Sequence, residues 1–128
     1  MSTLAVRVYW EDTDAGGVVY HASYLRFMER GRTEFLRECG VHQAALQDET
    51  GLTFVVADMN IRFRQPARLD DVLVVETVVE ESGGASLSLR QTVLRGQDVI
   101  VEADVTCAVI SRDGKPMRIP ADVKAKLA

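Results

Sequence analysis

At 128 residues the chain has the bulk of one domain built on a single core, and its 47% hydrophobic and 27% charged content is that of an ordinary globular protein. A net charge of −4 argues against general nucleic-acid binding. The longest apolar runs fall far short of a membrane span, and Met1-Ser2-Thr3-Leu4 leads into the first strand without a charged-then-apolar signal segment, so a cytoplasmic location is expected.

The first strand is predicted over Leu4 to Trp10. A stretch rich in acids and glycine follows, Glu11-Asp12-Thr13-Asp14-Ala15-Gly16-Gly17, and Val18-Val19-Tyr20 returns the chain to the core ahead of His21. The long helix runs from Ser23, its expected N-cap, to Cys39, with Gly40 just past its end. Tyr24, Phe27, Met28, Gly31, Phe35 and Cys39 recur at three- and four-residue spacing, and Leu25 and Leu36 widen that stripe. Arg30 and Glu34 on the opposite side are placed for an i,i+4 pair. Glycine at position 31 costs about 1 kcal/mol against alanine, so something is expected to pack closely there, and a sheet wrapping the helix would do so.

Gln43 to Glu49 forms a short second helix, after which the period becomes two. Val55, Ala57, Met59, Ile61 and Phe63 define the dry face of a strand reaching Arg64. Gln65 to Asp71 is a connection, since Pro66 cannot extend a ladder inside a sheet. Strands follow over Val72–Glu80, Leu87–Leu94 and Val99–Arg112, separated by turns at Gly83-Gly84 and at Arg95 to Asp98. Ala121 to Leu127 is a closing helix or a frayed tail. The expected fold class is therefore α+β, a five-stranded antiparallel sheet around one long central helix in a single domain. Cys39 and Cys107 read as small buried hydrophobes, and nothing near His21 or His42 has metal-ligand spacing, so no metal site is expected.

Chemistry concentrates between the first strand and the long helix. A helix N-terminus offers unpaired backbone N–H groups and partial positive charge. A neighbouring carboxylate such as Asp14 is placed to act as base or nucleophile on a carbonyl held there. The plain alternative is a loop Asp bonding its own backbone.

The run Tyr9-Trp10-Glu11-Asp12-Thr13-Asp14-Ala15-Gly16-Gly17-Val18-Val19-Tyr20-His21-Ala22-Ser23-Tyr24, with Glu29, Arg32-Thr33-Glu34 and Pro66-Ala67-Arg68-Leu69-Asp70-Asp71, resembles the hotdog-fold thioesterases. Within them it is most similar to the 4-hydroxybenzoyl-CoA thioesterase branch and its YbgC-type acyl-CoA thioesterases associated with the Tol-Pal system. The resemblance covers nearly the whole chain. It implies a hotdog fold, assembly as a homodimer or homotetramer with the active site at the dimer interface, and an acyl-CoA or acyl carrier protein thioester as substrate. It implies no metal or organic cofactor.

It also implies that Asp14 is the catalytic carboxylate, with Asp12 organising the loop, and that the backbone N–H near His21 polarises the thioester carbonyl. The His21 ring is either a direct participant or a structural hydrogen-bonding group. Gly17, Val18 and Tyr20 are expected to line the substrate. Glu29, two turns into the helix, is the rival acid, or else a carboxylate paired with Arg32 beside the substrate. Arg64, Arg68 and Arg90 are candidates for the phosphates of coenzyme A, or else solvated surface cations. Relatives often carry a basic residue after the third strand where this chain has Ser82-Gly83-Gly84, a departure that bears on any phosphate clamp. Two other classes stand beside hydrolysis: a hotdog dehydratase or hydratase, and a non-catalytic acyl-thioester-binding or Tol-Pal-linked interaction protein.

Overall fold

Period-two stretches and one long amphipathic run dominate the chain, and they fold as five long strands curled around one helix. The structure is a computed structural model describing residues 1–127. In chain order the elements are β1 (Ser2–Arg7), α1 (His21–Glu38), α2 (Gln43–Thr50), β2 (Thr53–Phe63), β3 (Val72–Ser82), β4 (Ser86–Arg95), β5 (Asp98–Ile110), β6 (Pro116–Met117) and α3 (Ala121–Leu127). All the pairings are antiparallel, in the order β1-β3-β4-β5-β2, and the two-residue β6 joins the end of β5. β1 and β2 are thus the two edges. This is the sheet-around-helix arrangement of the hotdog fold, with Phe27 and Met28 of α1 fully buried against Leu73, Val75, Leu89 and Val105.

Gly31 shows why the helix can lie so close. A Cβ there would stand 2.7 Å from Val75 Cγ1, 3.2 Å from Gln91 Nε2 and 3.3 Å from Thr77 Oγ1. Sheet and helix backbone meet at a point where no side chain fits, as the glycine in the apolar stripe led one to expect.

Several local expectations are corrected. β1 ends at Arg7 rather than Trp10, because the Tyr9 N–H turns to the Asp12 carboxylate at 2.8 Å and Trp10–Asp12 coils into a single 3₁₀ turn. α1 begins at His21, two residues early; Ser23 lies buried inside its first turn and caps nothing with its side chain. Leu25 is exposed, and Glu34 pairs with Arg37 in place of Arg30.

In β2 the register slips between Val56 and Asp58, so Ala57 forms a bulge. Phe54 and Val56 therefore stand opposite the buried Val109 and Cys107, and Met59 and Ile61 opposite the buried Val105 and Ala103. The inward phase before the bulge belongs to Phe54 and Val56, not to Val55 and Ala57. Cys107 is buried and Cys39 partly so, and burial pushes both thiols above their ordinary range.

Candidate active site

Residues 13–19 form a tight hairpin. The Asp14 N–H donates to Val18 O at 3.0 Å, the Gly17 N–H to Asp14 O at 3.0 Å, and Thr13 bridges Val19. Gly17 takes φ +80°, a conformation that side-chain-bearing residues avoid. The Asp14 side chain is exposed, and its Oδ1 accepts the Gly16 N–H at 2.8 Å. Its second oxygen meets no donor among the described residues. Asp12, by contrast, is buried. Its carboxylate holds the Tyr9 N–H and lies 3.8 Å from Arg26, while its carbonyl accepts the Tyr20 N–H at 2.9 Å. Asp12 is the organiser of the loop, and Asp14 the acid left on its surface.

Tyr20 leads straight into α1. The Ser23 N–H turns back to Tyr20 O at 2.8 Å, and the N–H groups of His21 and Ala22 have no acceptor among the described residues. These two donors crown the positive end of a helix of 18 residues. The His21 ring lies 4.7 Å from that of Tyr20 and 6.1 Å, edge-on, from Phe63 at the end of β2. His21, Tyr24, Phe63, Arg64, Gln65 and Pro66 surround an open groove of about 290 Å³ at the helix entrance. Tyr24 is buried, which raises the pKa of its hydroxyl, and that hydroxyl accepts the Ala67 N–H at 3.1 Å.

Glu29 faces a different space. Its carboxylate accepts from Arg32 at 2.5 Å, and Arg32, almost wholly buried, donates to Gln91 Oε1 at 2.9 Å. The Gln91 amide in turn donates to Met28 O at 2.9 Å and Thr77 Oγ1 at 3.0 Å. Glu29 and Arg32 form the polar end of a small cavity of about 40 Å³, whose apolar end includes Leu36, Phe54, Leu87 and Cys107. Gln91 and Thr77 escaped the sequence reading, although their phase carried the signal: each continues an alternating row of inward residues, Leu87-Leu89 and Leu73-Val75.

The three arginines are dispersed. Arg64, on the groove, is paired with Glu102 at 3.0 Å. Arg68 is exposed and its backbone bridges Val18, beside the hairpin. Arg90 projects from the sheet face opposite the helix, 3.8 Å from Glu80 and 4.0 Å from Asp104. The fold thus places Asp14, Gly17, Val18, Tyr20, His21, Arg64 and Arg68 at the end of the sheet where α1 begins, and leaves Glu29 and Arg90 apart. No helix among the described residues is long and apolar enough to cross a membrane.

Residues 8–127 match the family model described as the thioesterase-like superfamily. The chain is 47% identical to the acyl-CoA thioesterase YbgC of Haemophilus influenzae over 94% of its own length and 89% of that protein. It is 43% identical to the acyl-CoA thioester hydrolase YbgC of Escherichia coli, over 94% of this chain and 91% of that one. Among solved structures, a probable thioesterase from Bartonella henselae superposes with a TM-score of 0.89 at 43% identity, covering 92% of this chain and 98% of the other.

Proposed function

Because this chain belongs to the thioesterase-like superfamily and matches YbgC acyl-CoA thioesterases over nearly its whole length, it is an acyl-CoA thioester hydrolase, and we propose that Asp14 and the entrance of α1 are its reacting centre. The observation that carries this reading is the joining of the two parts by main-chain hydrogen bonds. Asp12 O takes the Tyr20 N–H, and Val18 O takes that of Asp14, so the acid hairpin and the first turn of the helix are one unit.

In that unit the thioester carbonyl oxygen accepts the free N–H groups of His21 and Ala22. They stabilise the negative charge that develops there as the carbonyl carbon becomes tetrahedral. Asp14 either takes a proton from the attacking water or attacks the carbon itself to give a mixed anhydride that water then opens. Coenzyme A leaves as thiol and the acyl group as carboxylic acid. Gly17, Val18 and Tyr20 line the approach and the His21 ring orients the thioester or water, while Glu29, paired with Arg32 beside a separate cavity, stands outside the reacting centre. Arg64 and Arg68 meet the nucleotide phosphates as exposed cations, and Arg90 does so only from another protomer or by a long reach. Acyl carrier protein thioesters belong to the same substrate class, and a cytoplasmic location is part of this reading.

The test is thiol release by Asp14→Asn. Asparagine keeps the acceptor for the Gly16 N–H, so the hairpin survives while the charge is lost. The expected loss in kcat is about 10²- to 10⁴-fold, with Glu29→Gln close to wild type. Wild-type turnover in Asp14→Asn would leave Asp14 with its turn-forming bond alone and favour a non-catalytic acyl-thioester-binding protein. A loss confined to Glu29→Gln would move the centre onto the helix.

The active unit in this reading is a homodimer, alone or paired again as a homotetramer. β2 is an edge of 11 residues on which Val56 and Phe63 remain 43% and 50% exposed, and such an edge is stable when another strand covers it. Light scattering at micromolar concentration is expected to show no substantial monomer; a fully active monomer would refute a shared site.

A further inference from the structure

Residues 65–71 run between the acid hairpin and the sheet, and all of them but the exposed Leu69 are tied by hydrogen bonds or a β-bridge. Ala67 is fully buried; its N–H donates to the Tyr24 hydroxyl at 3.1 Å and its carbonyl accepts the Val19 N–H at 2.8 Å. Arg68 bridges Val18. Asp70 sits at φ +70°, unfavourable for a residue with a Cβ. It is held there by its N–H to Val8 O at 3.0 Å, and by Arg7 and Val8 donating to Asp70 O and Asp71 O at 3.1 and 2.8 Å.

One nitrogen closes the segment on itself. Arg95 Nη1, at the end of β4, donates to Pro66 O at 3.1 Å and to Asp71 Oδ2 at 2.9 Å. The same carboxylate oxygen accepts the Arg68 N–H at 2.9 Å. Arg95 and Asp71 are 33% and 25% exposed, which shields the pair from solvent more than most surface pairs.

We propose that the Asp71–Arg95 pair is a clip that holds residues 65–71 in shape and thereby positions Asp14 against the entrance of α1, making Asp71 and Arg95 positioning residues for thioester hydrolysis. The proposal rests on the reading of Asp14 and the helix entrance as the reacting centre. Neither residue touches the groove's open face; both act through Val18 and Val19, whose backbone carries the hairpin. The Asp71 carboxyl lies below its ordinary range, chiefly through the Arg68 N–H and then through Arg95, so at neutral pH the clip is closed. A displacement of about 1 Å at the hairpin is enough to cost about a hundredfold in rate.

The experiment combines thiol release from an acyl-CoA with site-resolved amide hydrogen exchange on the full chain. Asp71→Ala is expected to lower kcat by about ten- to a hundredfold with KM near wild type. Exchange at Asp14 and Val19 should quicken at least tenfold while Val93 in β4 keeps its wild-type rate. Asp71→Asn, which retains a neutral acceptor, should fall between the two and serves as the test should the alanine variant fail to fold. Arg95→Ala should match Asp71→Ala, and the double variant should be no worse than either, as for two parts of one device.

Wild-type kcat and wild-type exchange at Val19 in Asp71→Ala, or fully additive losses in the double variant, would overturn the clip. An inactive Asp14→Asn alongside undisturbed exchange in Asp71→Ala overturns the clip alone. An active Asp14→Asn alongside faster exchange in Asp71→Ala overturns the catalytic reading and with it the positioning role, leaving the Asp71–Arg95 pair as a structural tie of residues 65–71 alone.

Discussion

The entrance of α1 and its middle are built in opposite ways. At the entrance the main chain does the holding: Asp14, Val18, Val19 and Tyr20 are fixed through N–H and C=O groups, and the side chains of Asp14, Tyr20 and His21 are left exposed. In the middle the side chains do it. Gly31 brings the helix onto the sheet, and Arg32, Gln91 and Thr77 use their polar atoms on one another and on Met28 O. A carboxylate at each place shows the consequence. Glu29 has the Arg32 cation as its partner, whereas Asp14 is held only by a main-chain N–H and has no cation partner among the described residues. Backbone-held geometry leaves its carboxylate without a charged partner, and side-chain-held geometry supplies one.

The largest blow to the middle is expected from Gly31→Val. Its Cβ alone would overlap Val75, and a branched side chain has nowhere to go, so unfolding in urea should reveal a loss of about 3 kcal/mol or more. Near-wild-type stability would mean that helix and sheet separate easily, which would erase the contrast.

Gln91→Leu comes next. It strips Arg32 of a buried acceptor and should cost about 2–3 kcal/mol. Adding Arg32→Leu should recover part of that, since replacing both partners removes the stranded charge. A double variant weaker than the single would show that the network contributes more than its own satisfaction.

The smallest effect belongs to the entrance. Asp71→Asn should lose about 1–2 kcal/mol at pH 7. The wild-type carboxyl titrates below its ordinary value of 3.8, so the stability it adds is complete above that value and is lost as pH falls through the lower folded value. The gap between wild type and variant should therefore stay constant from neutral pH to about pH 5 and close below about pH 4. A gap that opened on acidification would reverse the sign and exclude the ionised carboxylate as its source.

The sequence made some of this legible and hid the rest for definable reasons. Gly31 inside an apolar stripe announced close approach, and period two located every long strand. The phase of β2 is hidden because Val55, Val56 and Ala57 are all apolar, so binary pattern cannot show which of them the bulge expels. Local preference carries β1 on to Trp10, whereas a single bond from the Tyr9 N–H to Asp12 ends the strand. Asp12 as organiser of the loop agrees with its burial and its hold on the Tyr9 N–H, but only the resemblance, and no local pattern, distinguishes it from Asp14. The Arg95–Asp71 contact lay beyond reach: it joins residues 24 positions apart across a hairpin, and no spacing rule connects them.

The long-range ties of residues 65–71 also set an order of assembly. Tyr24 and Ala67 are 43 positions apart, and Arg7 and Asp70 are 63 apart. A nascent chain that has emerged only through β2 already contains Asp14, His21 and Glu29, yet it lacks every partner that fixes the hairpin from the sheet side. The β3–β4 and β4–β5 hairpins, by contrast, pair neighbours along the chain and close short loops at small entropic cost. The earliest-synthesised residues of the candidate site thus depend on some of the later ones, and a fragment ending before Arg95 carries the acid hairpin in full without the Arg95 bonds to Pro66 and Asp71.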